Sequence, residues 1–329
     1  MRLLTFIAAA LLPAVAQASE VCPYKDIMPE VSAFAADTAG MEPAERADAF
    51  VSRIVDRHPD YYAERLFGSR ERLAARALRL FDPERTPNFP GVGSVTLDQV
   101  LKTGEMIGTE YRRIEAEFRQ AFPDYRCETP ISFGPSLFLF DGNQSSAAPG
   151  QAEMRFGVDM IALLHPPHDL KPFFQHELFH IYQAQQIGEA EPPEATQPLW
   201  WALWSEGLAS YVSWELNPDL TSAEIFWLPR DMEAQMEKKL PQAARLLLAE
   251  LDGHEGYGRW FTAGENPPDL PPRAGYYLGY LMAKRLDAGD LAALARMPPA
   301  QVQREAHAFL QDLATQPDGR SRQTARPSE

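Results

Sequence analysis

The stretch His176-Glu177-Leu178-Phe179-His180 has the spacing H-E-x-x-H and lies in a segment whose pattern predicts a helix. Residues four apart on a helix are separated by about 40° around its axis, so both imidazoles can reach one metal ion. Glu177 is turned about 100° from His176, which places its carboxylate to accept a proton from water rather than to share the ion. This pattern is typical of metal-assisted hydrolysis.

The sequence around this stretch favours a metal site over the alternative, an amphipathic helix with two exposed histidines. Phe174, Leu178 and Ile181 point away from the histidines, so one side of the helix can pack into a core. The runs 131–140 and 154–164 are apolar and have the composition of strands. Strands followed by a metal-bearing helix predict an α+β fold.

Catalytic zinc usually takes three protein ligands, and Glu206 is the best candidate for the third. It lies in a second predicted helix, 199–216. Small residues surround it on that helix, which would let the helix approach another closely: Ala202, Ala209, Ser210 and Ser213. A buried carboxylate is tolerated where it coordinates a cation. The other interpretation is a tryptophan-rich core helix on which Glu206 is exposed.

Several other residues could in principle compete as ligands. Glu189, Glu191 and Glu194 lie in a charged, proline-containing segment that we interpret as a solvated loop. His165 and His168 flank two prolines, which prevent a helical display, so a polar turn is the expected role.

These motifs together resemble a known group of enzymes. H-E-x-x-H on one helix, with the E-G-x-A sequence of 206–209 on a second, is similar to the gluzincin branch of zinc metallopeptidases. With the later Gly-Tyr-Tyr-Leu-Gly-Tyr sequence at 275–280, the chain resembles most closely a family of predicted zinc-dependent proteases, DUF2268. The resemblance covers roughly residues 131–286, and the combined motifs are far more specific than any one alone.

The resemblance implies a zincin-like fold, in which a small sheet packs on the H-E-x-x-H helix, and Zn²⁺ as the cofactor. It implies His176, His180 and Glu206 as metal ligands and Glu177 as general base and acid. Several gluzincins carry an Asp four positions after the glutamate ligand that supports a histidine. Ser210 stands there in this chain, so such support must be weaker or come from elsewhere.

A hydrolase also needs a group that stabilises the oxyanion. Tyr276 and Tyr280 would share one face of a helix that starts near residue 275, and the resemblance raises both as candidates. Tyr276 is our first choice, with Tyr277 a third possibility, and aromatic packing in the core is the other interpretation. Arg273 is a candidate for binding a substrate carboxylate, although a charged residue on a surface loop is the more common case.

The N-terminus predicts export. Residues 1–18 contain a positive residue, an apolar run and the sequence Ala16-Gln17-Ala18, as in a secretory signal peptide cleaved after Ala18. No later run is long and apolar enough to predict a membrane span. We therefore expect a periplasmic or secreted protein. Cys22 and Cys127 both remain after cleavage, and we expect them to pair in an oxidising compartment.

Charge limits the partners. The formal net charge is −15, which argues against nucleic acid, because a phosphate backbone requires basic patches. The charge also disfavours anionic membrane surfaces, but it does not define the substrate. A peptide or protein substrate is the partner that the resemblance implies.

The chain divides into a signal peptide (1–18), a helical N-terminal region (19–128), a zincin-like region (129–315) and a disordered tail (316–329). Predicted helices of the N-terminal region include 43–57, 61–80 and 97–122, the last starting at a capping box formed by Thr96 and Gln99. Later helices are predicted at 222–239, 243–251, 275–287 and 300–313. A proline-rich loop at 262–273 is a candidate rim of the cleft.

The sequence thus predicts an exported zinc-dependent hydrolase, most simply a peptidase. Two alternatives remain open: a non-catalytic exported binding module on a zincin scaffold, and a zinc hydrolase that acts on a non-peptide amide.

Overall fold

The structure is a computed structural model, and it describes residues 22–89, 91–146, 152–165, 170–193 and 196–317. The predicted signal peptide, His168, Glu194 and nearly all of the predicted tail lie outside the described residues. The fold is α+β, mostly helical, with one small mixed sheet. Within the described part of the chain no helix is both long enough and apolar enough to cross a bilayer.

The described residues form four strands and fifteen α-helices. The strands are β1 (Tyr24–Asp26), β2 (Ile131–Gly134), β3 (Gly142–Ser146) and β4 (Ala152–Gly157). The helices are α1 (Met28–Asp37), α2 (Pro43–Arg53), α3 (Glu64–Phe67), α4 (Arg70–Phe81), α5 (Leu97–Ala121), α6 (Val158–Leu164), α7 (Lys171–Ile187), α8 (Leu199–Glu215), α9 (Ser222–Phe226), α10 (Met232–Met236), α11 (Leu240–Leu248), α12 (Tyr257–Phe261), α13 (Ala274–Leu286), α14 (Leu291–Ala295) and α15 (Pro299–Ala314).

The sheet has the order β1-β2-β4-β3. β1, β2 and β4 run parallel, and β3 is an antiparallel edge strand whose Gly142 pairs with Phe156 of β4. The strand β1 is an addition that the periodicity of the N-terminal region did not predict, because three residues are too few to show an alternating pattern.

The sheet packs against the helix that carries the H-E-x-x-H sequence. Phe133 of β2 and Phe156 of β4 stack with ring centroids 5.0 Å apart. Phe174 of α7 packs edge-on against Phe156 at 5.1 Å, and Tyr111 of α5 contacts Phe174 at 5.4 Å. From the N-terminal region, the hydroxyl of Tyr61 lies 2.7 Å from the carbonyl oxygen of Gly134. The sheet is therefore a buried layer that fixes the start of α7.

The helices α7 and α8 run antiparallel in contact. Ser213 Oγ donates a hydrogen bond to the Pro172 carbonyl at 2.8 Å, whereas eight residues earlier Ser205 reaches His180 and Gln183. This alignment places the middle of α8 opposite the two histidines of α7.

On its other side, α8 meets α13 with backbone against backbone. A Cβ atom added to Gly207 would lie 2.1 Å from the carbonyl carbon of Gly279. One added to Gly279 would lie 2.0 Å from the carbonyl oxygen of Leu203. Only glycine fits at both positions, and this contact fixes α8 relative to α13.

Cys22 and Cys127 form a disulfide bond across a sequence separation of 105 residues, with their Cα atoms 5.0 Å apart. The predicted pairing is confirmed. The two residues stand just before the neighbouring strands β1 and β2, so the bond joins the starts of two parallel strands.

Both long strand predictions are wrong in extent. The first strand ends at Gly134, because the buried carboxylate of Asp159 accepts hydrogen bonds from the backbone amides of Ser136 and Phe138 and so turns the chain. Leu137 and Phe138 have left-handed φ angles of 57° and 63° in this turn. In the second run the strand ends at Gly157 and α6 follows, since a short buried apolar run has no period that separates strand from helix.

Two predicted helices are each divided. The segment 61–80 contains α3 and α4, which are separated at Gly68, where φ is 81°. The segment 222–239 contains α9 and α10, which are separated by Trp227 with a left-handed φ of 37° and by Pro229, which cannot continue a helical hydrogen-bond pattern. By contrast, α5 begins at Leu97 with the predicted Thr96–Gln99 capping box.

We expect Gly279→Ala to lower the free energy of unfolding by about 1–3 kcal/mol or more, because the added methyl group overlaps the backbone of α8. Denaturant unfolding of the purified protein measures this. The matched control is Gly258→Ala in α12, where a Cβ meets nothing within 4 Å and stability should stay within about 1 kcal/mol of wild type. Equal stability of the two variants would contradict the close contact of α8 with α13.

Candidate metal centre

The helix α7 presents its histidines as the sequence predicts. Phe174, Leu178 and Ile181 are buried on the core side. His176 is 3% exposed and His180 14% exposed, and both face α8. The amphipathic pattern therefore correctly separates the face that packs in the core from the face that carries the donor groups.

His176, His180 and Glu206 converge on one point. The two Nε2 atoms are 3.1 Å apart, and Glu206 Oε2 lies 3.4 Å from His176 Nε2 and 3.5 Å from His180 Nε2. Ligands about 2.0–2.1 Å from a tetrahedral zinc ion are separated by about 3.3 Å along each edge of the tetrahedron. The three donor atoms therefore outline one face of such a tetrahedron, and the donor set suits a divalent metal ion.

The electrostatics of the three groups are those of a tightly coupled site. Burial lowers the pKa of His176 to about 4, which keeps this imidazole neutral and able to bind a metal. Burial acts in the same direction on His180, but the Glu206 carboxylate outweighs it and raises the pKa of His180. Burial also opposes ionisation of Glu206, yet the neighbouring imidazoles hold its pKa well below the usual value. Glu206 is therefore a largely buried carboxylate, 15% exposed, that stays charged.

Glu177 lies beside this triangle and against the edge strand. A Cβ atom added to Gly142 of β3 would come within 2.6 Å of Glu177 Cδ, so the carboxylate fills the space that a side chain at 142 would occupy. Burial raises the pKa of Glu177 to about 8, and the charges of Asp141 and Glu206 add to the effect. An elevated pKa is characteristic of a carboxylate that exchanges protons near neutral pH.

Asp141 and His165 form a partly buried pair on the same side of the site, with the histidine side chain 3% and the aspartate side chain 26% exposed. His165 Nε2 lies 3.1 Å from Asp141 Oδ2, and the imidazole packs on the Phe173 ring with centroids 4.1 Å apart. Although burial opposes ionisation, His165 holds the pKa of Asp141 below its usual value. The predicted polar turn at His165 is thus a specific contact that fixes the residue before Gly142.

Ser205, and not Ser210, forms a hydrogen bond with a histidine of the candidate site. Ser205 Oγ lies 3.2 Å from His180 Nδ1 and donates to Gln183 Oε1 at 3.1 Å. With Nε2 of His180 directed at the candidate metal position, Nδ1 carries the proton and its N–H donates a hydrogen bond to Ser205 Oγ. Ser210 instead donates to the carbonyl oxygen of Glu206, one turn back on its own helix, at 2.8 Å.

Two tyrosines flank Glu206. Tyr257 donates a hydrogen bond from its hydroxyl to Glu206 Oε1 at 3.2 Å while its ring stays 40% exposed. The Tyr276 ring lies nearly parallel to that of His176, with centroids 6.0 Å apart, and its hydroxyl is within hydrogen-bond reach of Glu206. Burial raises the pKa of Tyr276 well above its ordinary value, so its hydroxyl remains protonated at neutral pH.

The other two candidate tyrosines lie away from the metal position. Tyr277 is 1% exposed and Tyr280 4% exposed, and both pack against Phe226 with ring centroids 5.4 Å away. Tyr277 and Tyr280 therefore fit the other interpretation, aromatic packing in the core. Arg273, by contrast, stands at the site, with its guanidinium 4.1 Å from the centre of the Tyr276 ring.

The other acidic residues considered as ligands, as far as the structure describes them, do not lie with the three donor atoms. Neither Glu189 nor Glu191 is among the described residues that cluster with the histidines, although Glu191 adds negative charge near His180. A second cluster contains Cys22, Glu115 and Cys127, but its sulfurs are joined in the disulfide bond and offer no thiolate.

Sequence reasoning missed Ser205, Tyr257 and Asp141. Ser205 directly precedes Glu206, and Asp141 opens the Asp-Gly turn before β3, so both lay beside residues already singled out. Tyr257 follows Glu206 by 51 residues with no motif of its own, and no local signal could have identified it.

We expect Ser205→Ala to weaken zinc binding by about 10- to 100-fold, because His180 loses the hydrogen bond that orients its ring. Competition with a chromophoric chelator measures the affinity. Ser210→Ala is the matched control and should bind zinc as wild type does, because its hydroxyl touches only a backbone carbonyl. Equal affinities in the two variants would show that Ser205 does not orient a ligand.

We compared the chain with protein-family models, with curated proteins and with solved structures, and none of them matches it.

Proposed function

We propose that this protein is a zinc-dependent hydrolase that cleaves peptide bonds. The observation that carries the proposal is the triangle of donor atoms from His176, His180 and Glu206, with edges of 3.1–3.5 Å, beside the carboxylate of Glu177. Two imidazoles and one carboxylate form a ligand set of catalytic zinc sites, which leave a position open for water or substrate. Bound Zn²⁺ would supply a Lewis acid that lowers the pKa of water and polarises a carbonyl group.

Glu177 is the proton carrier in this proposal. Its carboxylate accepts a proton from the water that attacks the scissile carbonyl carbon, and it later delivers that proton to the leaving amine. The position of the carboxylate against Gly142, beside the three donor atoms, suits both steps. A metal site that serves only folding or binding has no use for such a carboxylate, which favours an enzyme over a binding module.

Tyr276 is the preferred donor to the oxyanion. Its protonated hydroxyl lies beside His176 and within hydrogen-bond reach of Glu206, and when substrate binds it turns to donate its hydrogen bond to the negative charge that develops on the carbonyl oxygen. Tyr257 is already engaged with Glu206 Oε1, which leaves Oε2 directed at the two histidines. We assign Tyr257 to positioning the carboxylate.

Export is part of the proposal. The Cys22–Cys127 disulfide is compatible with an oxidising compartment, and the positive residue, apolar run and Ala16-Gln17-Ala18 sequence within residues 1–18 fit the pattern of a signal peptide.

We expect the mature protein to bind one zinc ion per chain and Glu177→Gln to keep the metal while hydrolysis falls by about 10²- to 10⁴-fold. His176→Ala should lose the metal. Elemental analysis and hydrolysis of a mixed peptide pool measure the two properties. Glu189→Gln, at an exposed acid beyond α7, is the control and should retain both. A Glu177→Gln protein with wild-type turnover would refute the proposed mechanism.

We expect Gly142→Ala to reduce hydrolysis by about 10²-fold with zinc content unchanged, because the new methyl group displaces the flexible end of Glu177. Stability should change little, since the carboxylate can move aside. The control is Gly40→Ala, where a Cβ meets nothing within 4 Å. Full activity of Gly142→Ala would mean that the position of Glu177 is not critical.

A further inference from the structure

Arg273 is a fixed cation at the edge of the candidate metal centre. It directly precedes α13, and its Nη1 donates hydrogen bonds to the carbonyl oxygens of Phe226 and Leu228, each at 3.1 Å. The guanidinium carbon lies 4.1 Å from the centre of the Tyr276 ring and 5.4 Å from that of Trp227. Two carbonyl groups and two aromatic rings therefore hold the guanidinium in place.

The guanidinium has more donors than partners. Of its five N–H groups, two serve the backbone carbonyls, and the Tyr276 hydroxyl can take one more, which leaves two. Among the described residues no carboxylate forms an ion pair with Arg273. At the far end of the same helix, Arg285 pairs with Asp312 at 2.7 Å. Two free donors on a planar guanidinium match the two oxygens of one carboxylate.

The charge of Arg273 is directed into the site. It lies within electrostatic reach of Asp141, Glu177 and His176. The Tyr276 ring contacts both the guanidinium and the His176 ring, so a single side chain separates the cation from a metal ligand. The first backbone N–H groups of α13 add positive potential at the same place.

We propose that Arg273 binds a carboxylate of the substrate within one or two residues of the bond that is cleaved. This inference rests on the proposed peptidase function and names its substrate class: peptides that carry a carboxylate next to the scissile bond. The carboxylate has two sources, the free C-terminus of a peptide or the side chain of Asp or Glu. In a chain with net charge −15, such a cation offsets the general repulsion of anionic peptides.

The test measures binding in the Glu177→Gln background, so that no turnover interferes. Acetyl-Ala-Ala-Ala with a free C-terminus is compared with its C-terminal amide, and acetyl-Ala-Ala-Glu-amide with acetyl-Ala-Ala-Gln-amide. We expect the acid of one pair to bind about tenfold or more tightly than its neutral partner, and the pair that shows the difference identifies the source. Adding Arg273→Gln, which removes the charge and keeps a side-chain amide, should abolish the difference.

Arg285→Gln is the matched control on the same helix and should leave the difference intact. Equal binding of acid and neutral peptides, no measurable binding of any peptide, or a preference that survives Arg273→Gln overturns the proposal. So does an equal loss for acid and neutral peptides in Arg273→Gln, which is the signature of a purely structural role.

Hydrolysis of the same peptides by the protein with intact Glu177 separates the two proposals. Cleavage without a preference for the acid refutes the carboxylate site and leaves the peptidase function standing. An Arg273-dependent preference in binding without cleavage refutes the peptidase function and leaves the carboxylate site standing.

Discussion

The charged and largely buried carboxylate of Glu206, held between two imidazoles, is the constraint around which this protein is arranged. A carboxylate removed from water is costly unless cationic or hydrogen-bonding groups surround it. His176 and His180 approach it from α7, Tyr257 from α12 and Tyr276 from α13. Four helices must therefore meet closely at one point. The glycine contact between α8 and α13 allows this, because side chains there would push the helices apart.

The sheet contributes to the centre at a distance. Its aromatic layer fixes the start of α7, and the turn held by Asp159 delivers Asp141 and Gly142 next to Glu177. The proposed metal ligands thus come from helices, whereas the position of the proposed base is set by a loop and an edge strand. The charges are also separated. The carboxylates of Asp141 and Glu177 lie on one side of the centre, and the positive charge of Arg273 faces them.

The sequence predicted the parts of the site that follow from helical periodicity. His176, Glu177 and His180 share one helix, and the small residues around Glu206 correctly indicated a helix that another can approach. The residues that the sequence did not predict were missed for physical reasons as well. Ser205 and Tyr257 act through contacts between helices, and such contacts leave no period in the sequence. The strands predicted at 131–140 and 154–164 are longer than those of the structure. The turn that ends the first depends on Asp159, which is more than twenty residues away in sequence.

The covalent link between Cys22 and Cys127 has a consequence for how the protein must be made. It joins the beginnings of β1 and β2. These parallel strands are far apart in sequence, so pairing them costs the conformational entropy of closing a long loop. Without the disulfide bond, only a few backbone hydrogen bonds and side-chain packing would hold the three-residue strand β1 in the sheet. Recombinant production in a reducing cytoplasm would yield a chain without this disulfide bond. Secretion into an oxidising compartment is therefore the appropriate route to homogeneous protein.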